Sequence, residues 1–204
     1  MMQGMSNAQP TLIAAAWPAS ADSVFRKVLL VLAGTALLTL SAKVQVPFYP
    51  VPMTMQTFVV LIVGMAFGWR LGAATVLLYL AEGALGLPVF AGTPAKGIGL
   101  AYMAGPTGGY LLGFAVAAAV VGYLGQRGWH RGLLATLAAM VIGTALIHLF
   151  GYVWLAQLIG LEKAFQFGVL PFLWGDFFKI ALAAAVLPAC WKFLARTREK
   201  ENGR

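Results

Sequence analysis

Gly68-Trp69-Arg70-Leu71-Gly72 separates two short apolar runs, Met53–Phe67 and Leu71–Leu87. Read as helix throughout, the two runs and their junction would make one rod of about 50 Å at 1.5 Å per residue, against a hydrocarbon core of about 30 Å. Read as a turn with Arg70 at its tip, the same stretch folds the two runs into a hairpin. The fold of the whole chain turns on that choice.

The membrane setting rests on composition: hydrophobic residues make up 61% of the 204 and charged residues 10%, against roughly 45–50% and about 25% in soluble domains. Outward from the hairpin, further runs with the length to span lie at Arg26–Val46, Thr107–Gly125, Arg131–Ile159 and Pro171–Phe193. With the hairpin counted as two spans, the reading is an all-α polytopic integral membrane protein. It is a compact six-transmembrane-helix bundle within residues 26–193. No linker, low-complexity tract or internal repeat divides the chain, so 1–204 is one membrane domain with a basic cytoplasmic tail at 194–204.

The positive charges support the hairpin. With an even number of spans both termini share a side, and Arg26, Lys27, Arg70, Arg127, Arg131, Lys192, Arg196, Arg198, Lys200 and Arg204 then all fall on it, leaving Lys43, Lys96 and Lys163 opposite. Cytoplasmic segments carry the excess of Lys and Arg, so both termini are expected inside. Without the hairpin Arg127 and Arg131 would move outside and the asymmetry would be lost. The net charge of +8 therefore reads as topology, and nucleic acid is not an expected partner. Cys190 stands alone in an apolar run and cannot form an intrachain disulfide. Ala19-Ser20-Ala21 resembles a signal-peptide cleavage site, yet no Lys or Arg precedes the apolar run Thr11–Trp17 and the basic pair Arg26-Lys27 follows it. Residues 1–25 are expected to be a loose or surface-lying cytoplasmic arm.

The irregular sequence collects on the outer side. Val46-Pro47-Phe48-Tyr49-Pro50-Val51-Pro52 has three prolines within six residues and must be extended or turned. Gly86-Leu87-Pro88-Val89-Phe90-Ala91-Gly92 and Ala104-Gly105-Pro106-Thr107-Gly108-Gly109-Tyr110 bracket the next outer connection as tight turns. Non-helical backbone near a membrane is buried in protein or lines a cavity. These segments are either caps and re-entrant turns or a lid over an outward-facing pocket. In the second case Phe48, Tyr49 and Phe90 supply aromatic walls.

The sixth run carries the most informative pair. In Pro171-Phe172-Leu173-Trp174-Gly175-Asp176-Phe177-Phe178-Lys179, Asp176 and Lys179 are i and i+3 and share a helix face. Charges inside a span cost about 2.5–3.5 kcal/mol each on insertion scales and mark substrate or ion pathways. Asp176 lies roughly 7–8 Å along its helix from the outer end, which suits a pocket there. It would equally complement the positive end of its own helix dipole, with Lys179 as a local partner. Gln56 and Thr54, opening the second span, either cap that helix or reach a ligand. Glu82 is a pocket group or simply interfacial, and His148 and Tyr152, i and i+4 on the fifth span, share a face that is either packing or pocket.

Pro50-Val51-Pro52-Met53-Thr54-Met55-Gln56-Thr57, Gly86-Leu87-Pro88-Val89-Phe90-Ala91-Gly92, Gly105-Pro106-Thr107-Gly108-Gly109-Tyr110 and Pro171-Phe172-Leu173-Trp174-Gly175-Asp176-Phe177-Phe178-Lys179, in that order, resemble the signatures of the BioY family. The resemblance implies a six-helix substrate-binding (S) component of an energy-coupling factor (ECF) transporter that captures biotin from outside. It implies the bacterial cytoplasmic (inner) membrane as location. Biotin offers an apolar ring and tail, a ureido group and a carboxylate. Asp176 can accept ureido N–H groups, while Lys179 can donate to the ureido carbonyl or pair with the carboxylate. Asp176, Lys179, Gln56, Thr54, Phe90, Phe48, Tyr49, Tyr152, Thr107 and Glu82 form the expected substrate-binding set. No cofactor or metal is expected.

No G-x-x-x-x-G-K-[ST] phosphate loop occurs in the chain, so ATP hydrolysis falls to another subunit. The resemblance implies an ECF module of a pair of cytoplasmic ATPases and a transmembrane coupling protein. Ala33, Gly34, Ala36 and Ala42 on the first span would let that protein approach closely, although an Ala-x-x-x-Ala repeat is missing. Self-association stays open. Rival readings are a stand-alone proton- or ion-coupled permease titrating at Asp176, Glu82 and His148, or an S component for another vitamin. An enzyme is not expected: G-x-S-x-G, H-E-x-x-H and paired Cys/His sets are all missing.

Overall fold

The computed structural model describes residues 10–16 and 23–202, with side chains through Thr197. The Ala19-Ser20-Ala21 stretch and Arg204 lie outside the described residues. In chain order the elements are α1 (Leu12–Ala16), α2 (Val24–Lys43), a two-stranded hairpin of β1 (Gln45–Val46) and β2 (Met53–Thr54), α3 (Gln56–Phe67), α4 (Trp69–Ala84), α5 (Gly99–Met103), α6 (Gly108–Gln126), α7 (Leu133–Ile159), α8 (Leu161–Gly168), a 3-10 turn (Leu170–Phe172) and α9 (Leu173–Asn202). Among the described residues, α2, α6, α7 and the Leu161–Thr197 stretch are long and apolar enough to cross a membrane. The chain is a multi-pass membrane protein.

The decisive turn forms at Gly68, whose φ of 82° and ψ of 170° end α3 and start α4 within one residue. A Cβ on Gly72 would stand 2.9 Å from the Cα of Gly64, so residues four before and four after the turn lie backbone to backbone. Positive φ is cheap only for glycine. The turn and the close crossing thus both follow from Gly64, Gly68 and Gly72. Arg70 stacks over Trp69 at 5.1 Å, on the rim of the turn.

Helix α6 is the axis of the bundle, packing on α7, α3 and α4. In lipid there is little hydrophobic drive between helices, so close van der Waals contact through small residues carries the association. Gly122 illustrates it: an added Cβ would be 2.6 Å from the Gly68 carbonyl carbon and from the Trp69 nitrogen. Both are backbone atoms of the hairpin turn and cannot swing aside. Gly122→Val should therefore lower stability by about 1–3 kcal/mol, seen as a lower thermal midpoint of the detergent-purified protein. An unchanged midpoint would mean that α6 and the turn separate freely.

Some expectations need correction. The N-terminal arm, expected to be loose or surface-lying, contains α1, where Thr11 Oγ1 accepts from the Ala14 amide at 3.2 Å and Leu12 and Ala15 are buried. A capping hydroxyl followed by two apolar residues on one face is enough to dock a single turn. Elements α5 and α8 lie in the connections between the expected spans, because helices this short give no spanning signal. The last helix continues past Phe193 to Asn202, since nothing in its basic tail stops a helix. The triple-proline segment is the tip of the β1–β2 hairpin, with Gln45 opposite Thr54 and Val46 opposite Met53.

Candidate functional site

Four polar side chains from three helices form a connected cluster about one carboxylate. Asp176, in the first turn of α9, is buried. Its Oδ2 is 2.6 Å from Nε2 of His148 on α7, and its Oδ1 accepts from Lys179 Nζ at 3.3 Å. The same Nζ donates to Thr57 Oγ1 on α3 at 2.9 Å. A carboxylate only accepts, so Nε2 of His148 carries a proton, and in the neutral tautomer that contact selects Nδ1 is the acceptor. Nδ1 is buried and has no hydrogen-bond partner among the described residues. Lys179, with three N–H groups, has committed two. One donor and one acceptor are thus left over in a buried place.

They border a cavity. His148, Lys179 and Thr57 line it with Gln56 from the start of α3, Thr54, Val51 and Pro52 from the hairpin, Thr107 at the N-cap of α6, Tyr110, Leu111 and Phe114 within α6, and Ala91, Tyr102, Ile147 and Phe172. About 40 Å³ is open to the centre of a water-sized sphere. A larger groove of about 470 Å³ lies at the far end of the bundle between α1, α2 and the Gly68 turn. Its charged and amide lining, Arg26, Lys27, Arg70 and Gln126, is exposed or half-buried, whereas the smaller cavity borders the buried Asp176 and Lys179.

The walls are held from behind. Tyr110 donates to the Gly168 carbonyl at 2.7 Å, and its ring is inclined 29° to that of Phe172 at 6.3 Å and edge-on to His148 at 6.2 Å. Glycine at 151 leaves room for that ring, since a Cβ there would come within 2.3 Å of it. Gln56 Nε2 donates to Tyr79 Oη at 2.6 Å and Tyr79 donates to the Val89 carbonyl at 3.0 Å, which links the start of α3 to the loop after α4. Burial holds the Tyr102 phenol above its ordinary pKa, against a smaller lowering by its hydrogen bond to Thr107.

Of the residues expected from sequence, Lys179, Gln56, Thr54 and Thr107 line the cavity. Asp176 stands just behind its surface, screened by Lys179 and His148. Thr54 also caps α3, accepting from the Gln56 amide at 3.2 Å. Phe90 is one layer out, 5.0 Å from Tyr102 and 5.4 Å from Tyr79, and Phe48 stands edge-on to Phe172 of the wall at 6.4 Å. Three residues are elsewhere. Tyr49 is 88% exposed at the hairpin tip, where Val51 and Pro52 take the inward positions. Tyr152 turns to Phe165 of α8, a helix the sequence reading lacked. Glu82 is off the cavity because α4 presents Tyr79 and Gly83 as its buried face there. Thr57, Tyr110 and Phe172 were missed, although each stands inside a motif already singled out.

The model of the BioY family matches residues 10–196. The chain is 40% identical over 161 residues to "Probable biotin transporter BioY" of Pyrococcus horikoshii, covering 79% of this chain and 93% of that one. It is 37% identical over 153 residues to "Biotin transporter BioY" of Thermotoga maritima, covering 74% and 88%. A crystal structure at 2.1 Å of the S-component for biotin from an ECF-type ABC transporter superposes with a TM-score of 0.68, covering 84% of this chain and 95% of that chain. At 23% identity this last likeness speaks to the fold alone.

Proposed function

This chain belongs to the BioY family, and on that premise we propose that it captures biotin in the cavity bordered by Lys179 and His148, as the substrate-specific component of an ATP-driven ECF transporter. The observation that carries the reading is the unspent pair of polar atoms. The third N–H of Lys179 suits the ureido carbonyl or the carboxylate of biotin. Nδ1 of His148 suits a ureido N–H, and Asp176 holds both groups in place rather than meeting the ligand itself. Aromatic and aliphatic residues from α6 and the 3-10 turn provide apolar cover for the ring and tail. The protein is a transporter component and not an enzyme.

The proposal includes six spans with both termini in the cytoplasm, α3 and α4 counting as the short pair. Twelve and sixteen residues fall below the usual ~20 for a span, yet their neighbours α2 and α6 cover them. The location is the cytoplasmic membrane. Energy would come from a pair of cytoplasmic ATPases through a transmembrane coupling protein. Gly34 of α2 is occupied internally, facing Thr75, and Ala42 is buried. Ala33 and Ala36 remain on the exposed side, where that protein could approach. Purified protein titrated with biotin in a calorimeter should bind tightly. No heat with biotin but heat with another vitamin would overturn the assignment, and proton- or sodium-dependent uptake by the chain alone would favour the permease.

A further inference from the structure

The outer segment Pro88–Thr93 has no regular secondary structure, yet Val89, Phe90, Ala91 and Thr93 are buried. Its carbonyls are held by side chains from three helices. Tyr79 of α4 donates to Val89 and Tyr102 of α5 donates to Ala91 at 2.8 Å. Lys43, the last residue of α2, reaches three more: its Nζ is 2.8 Å from the Pro88 carbonyl, 2.9 Å from that of Phe90, and 3.3 and 3.1 Å from the carbonyl and Oγ1 of Thr93. A cation at a helix C-terminus ordinarily serves that helix's own last carbonyls. Here the four acceptors lie on a segment 45 to 50 residues further along.

Ala91 lines the cavity and the segment forms part of its rim. Small-molecule pockets are typically about 300–1,000 Å³, so a space of about 40 Å³ has to widen as biotin enters, and this segment is one of the movable walls. The tyrosine bonds are buried. Those of Lys43 come from an exposed residue and are exposed or part-buried, so water can reach the ammonium as it lets go. An ammonium sharing its N–H groups among four neutral oxygens is a releasable tie.

We propose that Lys43 is a positioning residue that latches the Pro88–Thr93 segment over the cavity and thereby sets the rates at which biotin enters and leaves. This rests on the biotin reading, but the latch can be measured without ligand. In Lys43→Met, amide hydrogen exchange across residues 86–99 should speed up by about ten-fold while α6 and α7 keep their protection. Lys43→Arg, which retains the cation and its donors, should restore most of it. With biotin present, association and dissociation should both quicken in Lys43→Met, with a smaller change in Kd. Unchanged exchange at 86–99, or exchange raised equally throughout the bundle, would overturn the latch. If the wild-type chain shows no biotin signal at all, the biotin reading falls and the exchange data alone decide the latch.

Discussion

Replacing Lys179 with Met should weaken biotin binding by about 2–5 kcal/mol, because truncating one member of a buried charge pair both removes its bonds and strands its partner. Lys179 Nζ reaches Thr57 and Asp176 and keeps one N–H for a ligand acceptor. Met fills similar space but offers none of this. Asp176→Asn should fall in the same range by the opposite route: the amide is no counter-ion for a cation that is itself only 9% exposed. The double variant should cost less than the sum of the two, since each single change already leaves a lone charge. Calorimetric titration of the variants decides it, and near-wild-type affinity in both single variants would reduce the pair to a structural role.

His148→Phe is the second large effect, with an expected loss of about 1–3 kcal/mol in binding free energy. The ring contacts with Tyr110 and Phe172, at 6.2 and 5.8 Å, survive in a phenyl ring. The substitution therefore isolates the two nitrogens. Without Nε2–H, Oδ2 of Asp176 loses the donor it meets at 2.6 Å, and without Nδ1 the ligand loses an acceptor. Unaltered affinity in this variant would sink the idea that His148 meets biotin, even if Lys179 proves essential.

Sequence reading treated the acid and the lysine as joint ligand groups and left the histidine undecided between packing and pocket. The structure places the histidine and the lysine at the cavity with the acid behind them. No periodicity could have shown this. Helix α7 is apolar on all sides, facing lipid on one and protein on the other, so the direction of a single His is not marked by an amphipathic pattern. Tyr152 was misplaced for a related reason: its i+4 spacing to His148 is correct for a shared face, but one turn further out that face meets α8. Eight residues between Gly160 and the proline turn leave little trace in a search for spans. Tyr49 failed differently, because a residue at the tip of a tight hairpin can point either way and only the packing of Val51 and Pro52 chose.

What the chain determined by itself is whatever depends on neighbours in sequence. Apolar run lengths set the long helices, and the glycine at 68 set the turn between α3 and α4. Proline and glycine clusters marked where the backbone leaves the helix near the site, and two charges in an apolar run marked the depth at which to look. Tertiary structure alone decided which polar atoms meet. His148 and Asp176 are 28 positions apart, and Lys179 and Thr57 are 122 apart. Such contacts depend on helix rotation and crossing, which glycine contacts such as Gly122 against the Gly68 turn impose at a distance. Local rules carry no information about that rotation, and so the cavity, its unspent donor and acceptor, and the lysine that ties down its rim appear only when the helices are packed.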